Sequence, residues 1–229
     1  MKIGVSKTNI FLIILVLLIQ FFIYGCKESD RNTIAMGLSA SPINLDPRYV
    51  TDAISYRISR LIYMSLVDFN ESFHVIPELA TWEKLSPTHY RFILGKKFRE
   101  FHNGSLLTSK DVKATYQSVL DSEISSPHRA SIAMIESIET VDQNIIDFKL
   151  FYPDPFFPGR LVIGILPMEL INKKHNFARD PIGSGPMKIL HWANDENLKL
   201  QRLSDGKIIE MITLKDPVVR VLKLLKGDI

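Results

Sequence analysis

The chain has a single cysteine, Cys26, among its 229 residues. No disulfide can form within the chain, and no set of cysteines can hold zinc. The fold must therefore be stabilised by a hydrophobic core, and 46% of the residues are hydrophobic. A chain of this length can bury such a core in one large domain or in two small ones. Glycine and proline are present in ordinary numbers, which excludes collagen-like and low-complexity structures.

The N-terminal segment has the pattern of a secretory signal peptide. Lys2 and Lys7 precede an apolar run over residues 10–23, which is shorter than the roughly 20 residues that span a bilayer. Cys26 follows closely, and residues 23–26 resemble the lipobox of bacterial lipoproteins. We therefore predict a signal peptide over residues 1–25, a lipidated Cys26 and a polar tether over residues 26–32. An uncleaved membrane anchor is the alternative. Either arrangement places the remaining chain outside the cytoplasmic membrane.

The sequence has no pattern typical of catalysis or of nucleic-acid binding. The formal net charge is +3 and includes Lys2 and Lys7, so a mature chain without them is nearly neutral and lacks a strongly basic face. Gly183-Ser184-Gly185 lacks the spacing of a nucleophile elbow and predicts a tight turn. The six histidines have no metal-binding spacing, and the carboxylates form no acid–base couple. These patterns predict a binding protein, rather than an enzyme, with no cofactor and no metal.

Periodicity and capping signals predict an α+β fold built on antiparallel or mixed sheet. Asp52 is expected to cap a helix that runs to about Leu66, and Thr108 with Asp111 forms a capping box for a helix through about Leu120. Asp216 is expected to cap a last helix, whose apolar positions are Val218, Val221, Leu222 and Leu225. Strands are predicted over residues 33–38, 90–94, 145–150, 187–191, 198–203 and 208–214. Residues 161–166 are predicted to form a buried strand, with a helix as the alternative. Core packing and a ligand cleft are the two alternatives for Trp82 and Trp192.

Seven separated motifs, in order along the chain, resemble family 5 solute-binding proteins, the extracytoplasmic receptors of peptide-type ABC importers. They are Leu45-Asp46-Pro47, the segments 61–69, 77–85 and 90–94, the 97–121 segment with its turn at Gly104, the 181–189 block and the final Lys-Gly-Asp-Ile. The chain departs from the family pattern in three places, one of which is the 202–211 segment, where the usual Tyr-Trp pair is missing. One residue fewer separates Ala80 from Trp82, and Met187 stands where an aromatic Tyr is usual.

The resemblance implies a fold. The expected fold is α+β, the first lobe of a two-lobe, periplasmic-binding-protein-like (type II) fold, with a mixed sheet, flanking helices and the second lobe absent. Residues 33–229 would form the N-terminal part of the solute-binding domain, and residues from about 46 to 150 its smaller sub-lobe. In that family the ligand is enclosed between lobes by hinge closure, so this chain is expected to supply one wall.

The resemblance also implies a function, partners and site residues. The expected function is the substrate-binding subunit of an ABC importer, a lipid-anchored monomer that captures a peptide or similar small solute and delivers it to the permease. Ser41, Pro42 and Tyr63 are the predicted first-lobe ligand contacts, with simple turn or packing roles as the alternative. The alternative interpretation is a truncated remnant that is displayed as a surface lipoprotein and binds no solute. No pattern of residues supports a third hypothesis, an extracytoplasmic hydrolase.

Overall fold

The computed structural model describes residues 32–193 and 197–229. The predictions for the signal peptide and for Cys26 lie outside these residues. Residues Ile34–Ile229 form one compact unit, and its strands make two four-stranded sheets and one two-stranded sheet. Within the described ranges, no helix is both long enough and apolar enough to cross a bilayer.

The first sheet joins the beginning of the described chain to its end. Its strand order is β1 (Thr33–Leu38), β10 (Ile208–Thr213), β9 (Asn197–Arg202) and β8 (Met187–Ala193). The β8–β9 and β9–β10 pairs are antiparallel. The Leu214 N–H donates to the Leu38 carbonyl oxygen at 2.8 Å, so the carboxyl ends of β1 and β10 meet and these strands run parallel. The sheet is therefore mixed, as predicted.

The second sheet is antiparallel throughout and comes from one continuous part of the chain. Its order is β4 (Ala80–Ser86), β5 (His89–Leu94), β7 (Ile145–Leu150) and β6 (Ile135–Thr140). The sequence predicted β5 and β7 but missed β4 and β6. Ala80 is the one buried residue of β4, so this strand lacks the apolar alternation that identifies a half-buried strand. The sequence also missed the hairpin of β2 (Val67–Phe69) and β3 (Val75–Pro77), which pair over three residues.

The first helix, α1 (Ala53–Ile62), begins where predicted. The Asp52 carboxylate accepts a hydrogen bond from the Ser55 N–H at 2.8 Å, which satisfies an N-terminal amide that no helical carbonyl can reach. Ile58 and Ile62 are buried. Their spacing of four places them on one helix face, and this face packs into the core.

The predicted end of that helix, at about Leu66, is wrong by one turn. Tyr63 has extended backbone, with φ of −116° and ψ of 145°. A tertiary bond takes the place of a helical one, since the Ile62 carbonyl oxygen accepts from the Gly185 N–H at 2.7 Å. The helix ends because another segment crosses it at this point.

The predicted strand over residues 161–166 is also wrong, although the segment is buried. Among the described residues no strand pairs with it, and two of its amides bond to partners in separate parts of the fold. The Ile165 N–H donates to the Met64 carbonyl oxygen at 2.9 Å, and the Leu166 N–H donates to the Thr115 hydroxyl at 3.0 Å. A short apolar run predicts burial, but it cannot by itself predict a hydrogen-bonded partner strand.

The second helix follows its capping prediction, whereas the short third helix was not predicted. The helix α2 (Ser109–Leu120) opens on the predicted capping box, in which the Thr108 N–H and hydroxyl both donate to the Asp111 carboxylate at 2.8 Å. The short helix α3 (Met168–Asn172) follows the irregular segment 161–166. The Asp111 carboxylate also accepts from the Met168 N–H at 2.8 Å, so one side chain caps both helices.

The last helix, α4 (Pro217–Lys226), forms as predicted, but its apolar face is exposed. The Asp216 carboxylate caps it, accepting from the Val218 N–H at 2.7 Å and the Val219 N–H at 3.2 Å. None of its residues is buried. The four predicted apolar positions have between 54% and 79% of their surface exposed, namely Val218, Val221, Leu222 and Leu225.

Two hydrophobic clusters stabilise the compact unit. One lies on the second sheet, where the Phe92 and Phe148 rings meet edge to face with centroids 5.5 Å apart. The other joins Ile62 of α1 to residues of the first sheet. Trp82 packs against the first cluster and Trp192 against the second. Each tryptophan therefore reports on a different core.

Candidate functional site

The predicted contact residues Ser41 and Pro42 lie just after β1, at the end of the first sheet. The Ser41 hydroxyl lies 2.8 Å from the hydroxyl of Thr213, the last residue of β10, and Pro42 is buried. The next residue, Ile43, is 70% exposed, and its N–H donates to the Ser55 hydroxyl of α1 at 2.9 Å. The segment is therefore held by both the sheet and the helix, while it presents an apolar side chain to solvent.

Tyr63, the third predicted contact, is packed in the interior at the end of α1. It is 3% exposed. A Cβ added to Gly164 would lie 2.5 Å from the Tyr63 Cβ, and one added to Gly183 would lie 2.7 Å from its Cδ1. The phenol hydroxyl is buried and makes no hydrogen bond with any described residue. Burial, followed by the nearby Asp46 carboxylate, raises the pKa of Tyr63 well above its ordinary value. The phenol is therefore neutral.

The Gly183-Ser184-Gly185 turn crosses the end of α1 at very short range. A Cβ added to Gly183 would lie 2.1 Å from the Ile62 carbonyl oxygen, and one added to Gly185 would lie 2.6 Å from the Ile62 carbonyl carbon. The Gly183 carbonyl accepts from the His102 N–H at 2.8 Å, and His102 Nε2 lies 3.0 Å from the Gly185 carbonyl oxygen. Burial lowers the pKa of His102, which favours the neutral imidazole. The predicted turn is therefore a crossing point, at which residues 183–185 pack against the end of α1 and bond to His102.

A cleft of about 100 Å³ lies beside Tyr63. One wall is a face of α1, formed by residues spaced three or four apart. The facing wall includes residues 162–164, part of the irregular segment described above. Ser41 and Pro42 are not among the lining residues, so the structure does not bring the three predicted contacts into one pocket. The polar side chains that line the cleft are Tyr56, Ser59, Arg60, Ser65, Asp68, Glu78, His128, Ser131 and Arg160.

The two arginines of this cleft form ion pairs, whereas, in the part of the chain that the structure describes, the carboxylate of Glu78 does not. Arg60 forms an ion pair with Asp68, and Arg160 Nε lies 2.6 Å from the Asp154 carboxylate. Glu78 forms no ion pair among the described residues, although the charge of Arg60 acts to lower its pKa. Its carboxylate instead accepts from the Ser65 N–H at 2.7 Å and from the Ser65 hydroxyl at 2.6 Å. Burial raises the pKa of Glu78, and the bonds from Ser65 oppose this rise.

Sequence reasoning missed the two cleft residues with the most distinctive surroundings, Glu78 and Arg160. Glu78 lies within a motif that carried the family resemblance, but no local pattern singled it out. Arg160 follows a proline-rich break, and the fold alone brings it to the same cleft. The described residues also contain no group of three or more side chains that could hold a metal ion.

The architecture is that of bacterial solute-binding proteins. The solved structure of the oligopeptide-binding protein AppA from Bacillus subtilis, in complex with a nonapeptide, matches with a TM-score of 0.79 and 26% identity over 86% of this chain and 43% of that chain. In sequence, AppA of Bacillus subtilis (strain 168) is 25% identical over an alignment of 256 positions that covers 97% of this chain and 47% of that protein. The HTH-type transcriptional regulator SgrR of Pectobacterium atrosepticum is 31% identical over 167 residues, covering 71% of this chain and 28% of that protein.

The sequence profile described as bacterial extracellular solute-binding proteins, family 5 Middle, matches residues 74–229, and the chain belongs to this family. The family and the fold class predicted from the sequence are therefore confirmed. The chain spans about half the length of AppA, at 47% of the sequence and 43% of the solved structure.

Proposed function

We propose that the protein is the substrate-binding subunit of an ABC importer and captures peptides or related solutes outside the cytoplasmic membrane. The observation that carries this proposal is the family 5 match over residues 74–229. The likeness to AppA, whose solved structure holds a nonapeptide, supports peptides as the solute class. Because the chain spans 43% of that structure, it would supply one wall of a larger ligand site.

In this wall, Ser41 and Pro42 are the proposed ligand contacts. They lie where β1 ends beside Thr213, so an extended peptide there could bond to receptor backbone whatever its side chains. Ile43, which is 70% exposed, would provide apolar contact area. Tyr63 is buried, so it would contact a ligand only through the cleft beside α1.

Peptide binding tests this proposal directly. The full chain, carrying Cys26→Ser so that no lipid is attached, would be titrated into a pool of fluorescently labelled nonapeptides while anisotropy is followed. We expect saturable binding that Ser41→Trp weakens at least tenfold, because an indole would fill the space above the sheet end. Ser72→Trp, at an exposed serine in the loop between β2 and β3, is the matched control and should bind normally. The absence of saturable binding would instead favour the alternative, a truncated remnant displayed as a surface lipoprotein.

Membrane attachment is a separate part of the proposal. Lipid on Cys26 would hold the receptor, as a monomer, at a bacterial membrane, on the periplasmic side or at the cell surface. Growth with labelled palmitate should label the wild-type chain but not the Cys26→Ser variant. Retention of the label in that variant would show that the anchor has been assigned to the wrong residue.

A further inference from the structure

We propose that the cleft beside α1 binds an ammonium group, with the Glu78 carboxylate as its charged acceptor. The ligand class is a primary amine with a short apolar stem, either a small free amine or the amino terminus of a peptide. This goes beyond the proposed peptide capture, since every residue that the cleft requires lies within the described half-fold and away from Ser41 and Pro42.

The ion pairs around the cleft indicate that its ligand is positively charged. Both guanidinium groups are already matched, because Arg60 pairs with Asp68 and Arg160 with Asp154. The Glu78 carboxylate forms no ion pair among the described residues, and the repulsion that it feels from Asp68 exceeds the attraction from Arg60. A half-buried carboxylate with no counter-ion is costly, and a cation entering the cleft would relieve that cost. An anion would meet the same uncompensated negative charge.

Hydrogen-bonding capacity in the cleft is also unused. Both bonds from Ser65 go to Oε2 of Glu78, so Oε1 has no hydrogen-bond partner in the described residues. The Ser59 side chain lines the same cleft, is 6% exposed and likewise makes no hydrogen bond within residues 32–193 and 197–229. An ammonium group has three N–H donors and no acceptor. The carboxylate Oε1 and the Ser59 hydroxyl are two acceptors for these donors.

The size and the apolar walls limit the ligand. A cleft of about 100 Å³ has room for several water molecules or for one small organic ion. Pro47, Val162 and Ile163 form apolar parts of its lining, and Tyr56 adds an aromatic ring. A short alkyl stem would contact these side chains while the ammonium group meets Glu78. A large or multiply charged cation would not fit.

Calorimetric titration of the full chain with Cys26→Ser tests the proposal. The probes are ethylammonium chloride, sodium acetate, trialanine and N-acetyl-trialanine. We expect saturable binding of ethylammonium at a single site and none of acetate. Glu78→Gln should weaken ethylammonium binding at least tenfold, because the amide can still accept from Ser65 but carries no charge. Glu83→Gln removes the same charge from an exposed position on β4 and should leave the affinity unchanged.

The peptide probes identify the source of the ammonium group. Binding of trialanine but not of its acetylated form would assign the cleft to peptide amino termini, whereas binding of ethylammonium alone would assign it to small free amines. Ser59→Val, which fills part of the cleft, should also weaken ethylammonium binding and does not depend on how Glu78→Gln folds. Equal binding of acetate, full affinity in both variants, or no binding of any amine would overturn the proposal. If Ser41→Trp abolishes peptide binding and Glu78→Gln does not, the peptide binds at Ser41 and Pro42 rather than in the cleft.

Discussion

Replacement of Gly183 by alanine tests whether the crossing at the end of α1 is as close as the structure shows. The added Cβ would lie 2.1 Å from the Ile62 carbonyl oxygen and 2.7 Å from the Tyr63 Cδ1. Neither neighbour can move freely, because one is backbone and the other is a ring in the core. The turn would therefore have to move away from α1.

The expected cost combines two effects. Moving the turn breaks the bond from the His102 N–H to the Gly183 carbonyl, at 2.8 Å, and the bond from the Gly185 N–H to the Ile62 carbonyl, at 2.7 Å. Each such bond contributes about 1 kcal/mol net, and forcing extra volume into a packed core costs about 1–3 kcal/mol. Gly183→Ala should therefore lower the free energy of unfolding by about 3–5 kcal/mol.

Urea unfolding followed by tryptophan fluorescence measures this change in both cores, because Trp82 and Trp192 pack against different clusters. Gly95→Ala is the matched control. Its added Cβ would meet only the Leu79 carbonyl oxygen, at 3.5 Å, so it should change stability by less than about 1 kcal/mol. Gly104→Ala isolates backbone strain, since φ is +82° there and no atom lies within 4 Å of an added Cβ; a cost of about 1–2 kcal/mol is expected. If Gly183→Ala unfolds at the midpoint of Gly95→Ala, the reasoning about the crossing is wrong.

Three further substitutions have defined outcomes. Tyr63→Phe removes a buried hydroxyl that bonds to no described residue, so urea unfolding should show a change within about 1 kcal/mol in either direction; a larger loss would mean that the hydroxyl is bonded. Arg91 donates twice to Asp147 at 2.8 Å and thereby lowers the pKa of this carboxyl below its unfolded value. The pair therefore stabilises the fold above about pH 4, and its contribution is lost as pH falls through the folded-state pKa. Asp147→Asn should lower the urea midpoint at pH 7, with a difference that shrinks in acid; a difference independent of pH would contradict this. Asp216→Ala removes the cap of α4 and should cost about 1 kcal/mol of local stability, seen as faster amide exchange at Val218 and unchanged exchange in β5.

The starts of three helices were the part of the fold that the sequence predicted well. Asp52, Asp216 and the Thr108–Asp111 capping box act through bonds to amides two or three residues away, so their spacing is sufficient to place a helix start. The end of α1 could not be predicted in the same way. It is set by Gly185, which lies far along the chain and bonds to the last residue of the helix.

The candidate site illustrates the same limit. Glu78 and Arg160 reach one cleft through tertiary packing, and no spacing rule connects residues so distant in sequence. The pattern of α4 likewise predicted an apolar face but not whether anything covers it, and in the structure Leu225 is 79% exposed. An amphipathic pattern shows which face prefers contact, while the contact itself depends on the rest of the fold.

The order of strands in the first sheet also determines when this protein can finish folding. β1 pairs with β10, and the bond between Leu38 and Leu214 joins the two ends of the described chain. The second sheet needs only residues 80–150, so it can form before β10 has been synthesised. β1 must wait until β10 (Ile208–Thr213) has been synthesised, and contacts of such long separation form slowly. Pulse-labelled hydrogen exchange should therefore protect β5 and β7 before the Leu214 amide, and the reverse order would contradict this assembly sequence.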